Sequence, residues 1–387
     1  MVGLSDLCRT FFWIGLTSYG GPAIVAQIRR VTVFKNKWLS EAEFEESLAF
    51  CQTLPGPIAV QTAAYIGWRL HRGLGAFLTL VFYDLPAFLL MLALSAAYFR
   101  FGQLPVVKGI FVGLGAVVVG IVADSILSMA KPALKDWRGV LIMMGAAAGF
   151  FARQPALLVL LGSALVGLPL TWSVQMKQEG PKGATSPRTR AKTLAWVLIL
   201  AALFSGALAA SGMLSKELPA LGAAMVKVNL LAFGGGYTAI ALMYDQVVAA
   251  QGWLTPKEFV DGLALGQVTP GPVIMTSTFI GYRVAGLWGA LLATFCVYWP
   301  SALLLVLLAP EFERFRRIRA ISAMVRGLLA AFVAMLFLVL WQVAGASLTD
   351  VVTLIAALAA FGLLRLKVAP GWIVLAGLVL SAFFLRG

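Results

Sequence analysis

The sequence predicts an all-α polytopic membrane protein built from two repeats of inverted topology. Three observations predict it. Of the 387 residues 61% are hydrophobic and only 12% are charged, the mean hydropathy is +0.92, and the second half of the chain repeats the first. A soluble domain carries about one quarter charged residues. We therefore expect most of the chain to lie within a lipid bilayer.

Length and hydropathy indicate about thirteen apolar segments that can cross, or nearly cross, a bilayer. They lie at 10–28, 47–68, 75–99, 105–130, 138–152, 155–172, 194–213, 219–244, 262–282, 286–309, 322–344, 349–365 and 369–386. The composition becomes polar, with Pro and Gly, between 173 and 193, which is typical of a linker. The predicted organisation is a first repeat at 1–172, a linker with one extra transmembrane helix at 173–218, and a second repeat at 219–387.

The repeat is visible within the chain itself. At an offset of 215 residues, which becomes 214 after a one-residue deletion, identical residues pair up, among them Glu43 with Glu258, Gln52 with Gln267, Arg69 with Arg283 and Pro86 with Pro300. Six segments in each repeat, with one extra helix between them, start the second repeat from the opposite side of the membrane. That arrangement is an inverted repeat, as in many secondary transporters.

Each repeat is predicted to contain two broken helices. The breaks are the Gly-Gly-Pro type, Gly20–Pro22 and Gly234–Tyr237, and the Pro-Gly-Pro type, Gln52–Pro57 and Gln267–Pro272. Proline lacks an N–H and its ring clashes with the preceding turn, so a helix ends there. Broken helices at matching positions of two halves indicate a transporter's substrate site. The alternative is that these residues only kink and pack membrane helices.

The breaks favour an anionic ligand. A glycine followed by proline suits the start of a new helix, and a helix N-terminus presents free N–H groups and a positive dipole end. Neutral donors close to the breaks suit the oxygens of an oxyanion. The predicted substrate-binding residues all lie at or beside a break, and they are Gly20, Gly21, Pro22, Gln52, Pro55, Gly56, Pro57, Gly235, Gly236, Tyr237, Gln267, Thr269, Pro270, Gly271 and Pro272.

Ionisable residues at membrane depth are functional candidates by default. The basic residues that could pair with a bound anion are Lys227, Arg69, Arg283, Lys108 and Arg326. The alternative for each is a side chain that extends to the membrane interface. Asp84 and Asp124 lie in apolar runs and are candidates for carrying a coupling proton, with a structural hydrogen bond as the alternative. Neither has an acidic counterpart in the other repeat, since Asp84 aligns with Tyr298.

Other classes of protein find little support in the sequence. The three cysteines, Cys8, Cys51 and Cys296, have no paired spacing, and no metal or nucleotide motif is present, so we expect no catalytic residues, metal or cofactor. A membrane enzyme acting on lipid phosphates would need acids or histidines clustered at one membrane face. The net charge of +14 resides mostly in short loops, as topology requires, so no nucleic-acid partner is expected.

The basic residues also predict the orientation. With the N-terminus and the linker in the cytoplasm, 18 of the 30 basic residues are cytoplasmic and 10 lie outside. The dense cluster Arg314–Arg319 then lies inside, as the positive-inside rule requires. The loop Arg29–Lys37 lies outside, against the rule.

Longer stretches resemble a known family. Leu231–Tyr237, Gly266–Pro272 and Thr278–Tyr282 resemble the chromate ion transporter family, and Leu54–Pro57 with Tyr65–Trp68 resembles its amino-terminal domain. The resemblance implies a two-domain transporter of the prokaryotic cytoplasmic membrane that exports chromate and confers chromate resistance. Sulfate, a similar tetrahedral dianion, is a second expected partner beside the lipid bilayer.

Several alternatives stay open at this point. The protein could be a carrier of sulfate or another oxyanion for which chromate is adventitious. The family often has a histidine and a methionine soon after Gly-Gly-Pro, where this chain has Ile24–Gln27. Proton antiport, a membrane potential and anion exchange all fit as the driving force. A homodimer is also compatible with the sequence.

Overall fold

The computed structural model describes residues 2–18, 21–102, 104–171, 187–309 and 319–384, which form helices joined by short connections. In chain order these are α1 (Leu4–Thr17), α2 (Gly21–Arg29), α3 (Glu41–Cys51), α4 (Ile58–Phe101), α5 (Pro105–Ala133), α6 (Trp137–Phe151), α7 (Ala156–Thr171), α8 (Pro187–Leu214), α9 (Leu218–Leu231), α10 (Gly236–Tyr244), α11 (Pro256–Val268), α12 (Thr276–Leu308), α13 (Arg319–Ser347), α14 (Val351–Arg365) and α15 (Pro370–Phe384). π-Helical turns Arg30–Lys35 and Asp245–Ala250 continue α2 and α10, and a 3₁₀ turn, Val273–Met275, precedes α12.

All four predicted breaks interrupt helices. They separate α1 from α2, α3 from α4, α9 from α10 and α11 from the 3₁₀ turn. Local chemistry explains this, because proline and positive-φ glycine cannot continue an α-helix. The geometry across the breaks, however, differs from the prediction.

The chain turns back on itself between α11 and α12. A side chain on Gly262 would meet the ring of Phe279, and Glu258 forms an ion pair with Arg283 at 3.3 Å. These contacts pair earlier residues of α11 with later residues of α12, so the two arms run antiparallel. The prediction that 262–282 crosses the membrane as one segment is therefore wrong, because this stretch is part of an antiparallel hairpin.

The first half contains the same hairpin between α3 and α4. Glu43 forms an ion pair with Arg69, although a straight helix would separate residues so far apart in sequence by about 39 Å. The backbone N–H of Ser40 donates to Glu43 and, with Arg69, holds the pKa of that carboxyl below its ordinary value. Glu43 is therefore ionised at neutral pH and anchors the hairpin. The predicted crossing at 47–68 is corrected in the same way.

The Gly-Gly breaks also fold back. Gln27 Nε2 donates to Thr17 Oγ1 at 2.7 Å, which requires α2 to turn toward α1. Lys227 Nζ donates to Gln246 Oε1 at 3.3 Å, which brings the end of α10 beside the middle of α9. A continuous helix would hold either pair too far apart for contact. The segments predicted to cross at 10–28 and 219–244 are therefore hairpins as well.

The hairpins of the two halves are anchored at opposite ends of α4. This helix bends at His71, then continues from 73 to 101 over about 43 Å. Where this second part of α4 begins, the His71 ring hydrogen-bonds to the Val2 carbonyl. At the far end of the helix, Tyr98 donates to Asp261 on α11. We call these ends the His71 face, which includes Val2, Glu43 and Arg69, and the Glu258 face, which includes Asp261 and Arg283.

Four helices in the described parts of the chain are long and apolar enough to cross a membrane by length and composition, and they are Ile58–Phe101, Val107–Ala133, Val273–Leu308 and Ser322–Ser347. Shorter apolar helices accompany them. Large apolar side chains such as Trp341 and Leu358 lie exposed on the outside, where lipid would cover them. The count of thirteen crossings needs revision, because four of the counted segments are hairpins.

The first helix of each half braces the proline kink of a crossing helix. In the second half Asn229 accepts a hydrogen bond from the Ser301 N–H at 2.8 Å and donates to the Val297 carbonyl at 2.6 Å, beside Pro300. In the first half Gly15 packs directly against the carbonyl of Tyr83, where a side chain would lie 2.0 Å from the oxygen. Both contacts allow close packing of the two helices, α9 against α12 in the second half and α1 against α4 in the first.

Replacing Asn229 with alanine should lower the free energy of unfolding by about 2–3 kcal/mol, because a buried N–H and a carbonyl lose their partner. Thermal unfolding in detergent measures the effect. Asn36→Ala, in the connection before α3, serves as the control and should change the midpoint little. Equal midpoints for the two variants would contradict the bracing role.

The hairpins predict a labelling pattern for cysteines in reconstituted protein. Ala42→Cys and Arg72→Cys flank the α3–α4 hairpin and should react with an impermeant thiol reagent from one and the same side of the membrane. Lys257→Cys and Leu287→Cys flank the α11–α12 hairpin and should also share a side. If the two members of a pair react from opposite sides, the segment crosses the membrane and the hairpin is refuted.

Candidate functional site

The hairpin tips of the two halves are joined by a reciprocal pair of backbone hydrogen bonds. The Gly56 N–H donates to the Ala232 carbonyl at 2.9 Å, and the Gly271 N–H donates to the Ser18 carbonyl at 2.7 Å. Gly56 and Gly271 are equivalent residues of the two repeats. Each Pro-Gly-Pro tip therefore bonds to the Gly-Gly break of the other half.

Only glycine fits at these two tips. Gly56 has φ +111° and Gly271 has φ +104°, which L-residues with a side chain rarely adopt. A Cβ atom on Gly56 would lie 2.7 Å from the Ser301 side chain, and one on Gly271 would lie 2.9 Å from Ala87. Each tip thus packs against the crossing helix of the other half.

A cavity of about 340 Å³ lies where the breaks meet. We call it the central cavity. Residues that follow or flank the breaks of both halves line it, and they are Ile24, Val25, Leu48, Gln52, Pro57, Ile58, Ala59, Gly234, Gly235, Gly236, Tyr237, Pro272 and Val273. Its position between the halves is where inverted-repeat transporters bind their substrates.

Three helix starts face the central cavity without a side-chain cap. They are the start of α4 after Pro57, the start of α10 after Gly235, and the 3₁₀ turn after Pro272. The first N–H groups of a helix have no partner within it, so such ends attract anions through hydrogen bonds and the helix dipole. The cavity is therefore suited to an anionic ligand.

Six of the predicted substrate-binding residues line the central cavity, namely Gln52, Pro57, Gly235, Gly236, Tyr237 and Pro272. Six others, which are Pro55, Gly56, Gln267, Thr269, Pro270 and Gly271, are buried behind its wall. Gly21 and Pro22 are the first residues of α2, and Gly20 lies outside the described residues. The N–H groups of Gly56 and Gly271 are bonded to the other half, so they are not free to hold a ligand.

None of the five predicted basic residues lines the central cavity. Arg69 and Arg283 pair with Glu43 and Glu258 at the bases of the hairpins. Lys227 bonds to Gln246. The other two are a lysine in a separate cavity at the Glu258 face, Lys108, and a half-buried arginine on α13, Arg326. Among the described residues, the lining of the central cavity therefore contains helix starts and no basic side chain.

The two predicted acids occupy different surroundings. Asp84 is buried on α4, and neither carboxylate oxygen has a hydrogen-bond partner among the described residues. The hydroxyls of Tyr83 and Tyr298, which lie near Asp84, are also buried without a partner there. Asp124 lies 3.5 Å from Arg365 on α14, and Tyr237 of the cavity wall lies close to it.

Sequence reasoning missed the apolar half of the cavity wall. Ile24, Ile58 and Val273 lie within one turn after a break, and Leu48 lies one turn before Gln52. Helical spacing from the breaks could have found them. It also missed Asn229 and Asp261, whose partners are far away in sequence.

Comparisons with known proteins agree on one family. The family described as "Chromate transporter" matches residues 5–168 and again residues 219–382. An uncharacterized transporter of Methanocaldococcus jannaschii is 32% identical over 98% of this chain and 94% of its own. The chromate transport protein of Cupriavidus metallidurans is 34% identical over 93% of this chain and 88% of its own.

A chromate transport protein of Pseudomonas aeruginosa is 31% identical over 86% of this chain and 79% of its own. No solved structure matches. The family is one of transporters and not a class of enzymes. With its long apolar helices, this chain is an integral membrane protein, and it belongs to the chromate transporter family.

Proposed function

We propose that this protein is a secondary transporter that exports chromate across the prokaryotic cytoplasmic membrane and so confers chromate resistance. One observation carries the proposal: three uncapped helix starts from both halves face one cavity, and no basic side chain among the described residues lines it. The relatives named as chromate transport proteins support chromate as the anion.

The electrostatics of the central cavity suit a dianion that must be bound and then released. Each α-helix N-terminus carries roughly half a positive charge, so the starts of α4 and α10 supply about one charge, and the 3₁₀ turn adds further backbone N–H groups. Backbone N–H groups and the Gln52 amide bind oxyanion oxygens without the strong ion pairs of lysine or arginine. A volume of about 340 Å³ leaves room for the anion with part of its water shell.

The proposal includes an inverted-repeat topology with nine crossings among the described residues. Each half contributes two re-entrant hairpins and four crossing helices, and α8 is the extra crossing between the halves. The crossings are the second part of α4, α5, α6, α7, α8, the second part of α12, α13, α14 and α15. Anchoring of the two Pro-Gly-Pro hairpins at opposite ends of α4 supports the inversion.

The distribution of charge supports a cytoplasmic N-terminus. In this topology thirteen of the Lys and Arg residues whose side chains the structure describes belong to the His71 face, which are Arg9, Arg29, Arg30, Lys35, Lys37, Arg69, Arg72, Lys131, Lys135, Arg138, Arg326, Arg365 and Lys367. Seven belong to the Glu258 face, which are Arg100, Lys108, Arg153, Lys216, Lys227, Lys257 and Arg283. The hairpins move the loop Arg29–Lys37 to the cytoplasmic side, where the positive-inside rule places it.

Alternating access follows from a rocking of one repeat, 1–172, against the other, 219–387. Each Pro-Gly-Pro hairpin packs against a crossing helix of the other half, so a small rotation opens one face while the other stays closed. The linker and extra helix, 173–218, join the two moving units.

A second candidate function is transport of sulfate or another oxyanion, with chromate as an adventitious substrate. The observation that favours it is the chemistry of the cavity. N–H groups and an amide recognise oxygens, and sulfate presents the same four oxygens and the same charge as chromate.

Flux of labelled chromate in proteoliposomes tests the function, with a pH gradient and a membrane potential imposed separately. We expect flux that responds to one of these gradients and that excess sulfate reduces, because both anions fit the same donors. Protein-dependent sulfate flux without chromate flux would select the second function. Absence of flux and of binding for both anions would refute both.

Replacing Gly56 or Gly271 with valine should abolish transport, because the side chain clashes with α12 or α4 and the positive φ becomes strained. Rates at least about 100-fold below wild type are expected for a displaced binding geometry. Gly345→Val is the matched control, since a Cβ at Gly345 meets nothing within 4 Å. Wild-type rates in both tip variants would refute the proposal that the two hairpin tips set the geometry of the central cavity.

A further inference from the structure

A second cavity, of about 450 Å³, opens at the Glu258 face. We call it the Tyr98 cavity. Both halves line it: Tyr98, Phe99, Gly102, Lys108 and Phe111 from the first, and Thr255, Lys257, Glu258 and Asp261 from the second. Helix α11 runs from this cavity toward the central cavity. The wall of the central cavity includes Val273, which lies just beyond the tip of the α11–α12 hairpin.

Aromatic rings in mutual contact close this end of the α11–α12 hairpin against α4. The Phe279 ring lies 5.2 Å from Tyr98 and 4.9 Å from Phe99, and Tyr282 lies 5.9 Å from Phe99. Phe111 adds a contact to Tyr98 at 4.9 Å. These rings come from different halves, so a rocking motion must separate them.

The other face has an equivalent closure without the same polar bond. The rings of Tyr65 and Trp68, which align with Phe279 and Tyr282, lie 5.5 Å apart and pack in a cluster with Leu305 of α12. By alignment, the counterpart of Tyr98 is Phe312, which has no hydroxyl to donate. The two closures are therefore chemically different.

The Tyr98 hydroxyl donates a hydrogen bond of 2.7 Å to Asp261 Oδ2, and Asp261 is only 3% exposed. Four charged groups surround this pair: Lys257 and Glu258 on α11, Lys108 on α5, and Arg283 on α12, which pairs with Glu258. The α13 and α15 helices also contact α11, and their described residues add only Arg326, which lies toward the opposite face.

We propose that the Tyr98–Asp261 hydrogen bond is a proton-operated latch that holds the Glu258-face gate closed while Asp261 is ionised. The inference rests on the proposed transport function. A hydrogen bond to a carboxylate is roughly twice as strong as one between neutral groups, so protonation weakens the latch. Protonation also removes a negative charge beside Lys108 and Lys257, which makes the Tyr98 cavity more favourable for a passing dianion.

The geometry assigns this role to Asp261 and not to the other buried acids. Asp84 lines neither cavity, and Asp124 faces Arg365 on a neighbouring helix. Asp124 pairs across the halves with Arg365 but lines neither cavity. Of the three acids, only Asp261 both lines a cavity and bonds across the two halves, so its protonation state acts directly on their separation.

The test compares anion flux of Asp261→Asn with wild type in proteoliposomes at equal pH on both sides. The amide cannot ionise, so the variant latch is always weak. The ratio of variant to wild-type flux should be about fivefold at alkaline pH and fall to one at acid pH, as expected for exchanging a charge-assisted bond for a neutral one. Taking ratios at each pH cancels any titration of the anion.

Tyr98→Phe removes the donor at every pH, so its ratio should also be larger at alkaline pH than at acid pH, where wild type keeps only a neutral hydrogen bond. Glu217→Gln, which removes an exposed carboxylate near the start of α9 on the Glu258 face, should give a ratio of one throughout. A ratio that is independent of pH in both Asp261→Asn and Tyr98→Phe would overturn the latch. The same profile in Asp84→Asn alone would assign the proton to Asp84 and overturn it too.

A second readout does not depend on transport. Val273→Cys, in a chain whose cysteines at 8, 51 and 296 are replaced, reports access to the central cavity by its rate of reaction with a thiol reagent. We compare this labelling rate in chains with Asp261→Asn and with native Asp261. The ratio of the two rates should fall toward one as the pH is lowered. If the labelling ratio depends on pH in this way but no anion flux is found, the proposed gate is supported and the proposed transport function is refuted. Flux with a constant labelling ratio refutes the gate alone.

Discussion

The arrangement depends on the two backbone hydrogen bonds that cross between the halves, from Gly56 to Ala232 and from Gly271 to Ser18. Each places an unpaired N–H of one hairpin tip against an unpaired carbonyl at the break of the other half. At membrane depth such groups have no water to bond to, so a partner is required. The reciprocal solution ties four chain interruptions into one cluster and fixes where the following helices start.

The anion binding proposed for the central cavity depends on that cluster. A helix that starts inside the protein leaves its first N–H groups without intrahelical partners, and three starts face the same space. The basic residues that looked like ligands are engaged at the bases of the hairpins, where Arg69 and Arg283 secure Glu43 and Glu258. The ion pairs at the hairpin bases thus lie apart from the central cavity, which is the proposed binding site.

The halves share a fold but differ in some of their buried contacts. In the second half Asn229 hydrogen-bonds to Ser301, whereas in the first half Gly15 packs directly against the backbone of Tyr83. Asp261 of the second half bonds to Tyr98 of the first, whereas the residue that aligns with Tyr98 in the second half is a phenylalanine. A perfectly symmetric pair of repeats would make the inward-open and outward-open states equal in energy. Of these differences only the Tyr98–Asp261 bond joins the two halves, so it is the one that the proposed rocking motion would break.

The sequence by itself determined the membrane class, the duplication, the family and the positions of the four breaks, because composition, self-similarity and the backbone limits of proline and glycine are local properties. It also placed Gln52, Gly235, Gly236 and Tyr237 at the cavity. Only the tertiary structure decided that the broken segments turn back, since two short apolar arms have the same hydropathy as one crossing helix. Contacts such as Glu43 with Arg69 and Tyr98 with Asp261 join residues far apart in the chain, and no local pattern encodes which partner a buried polar group finds.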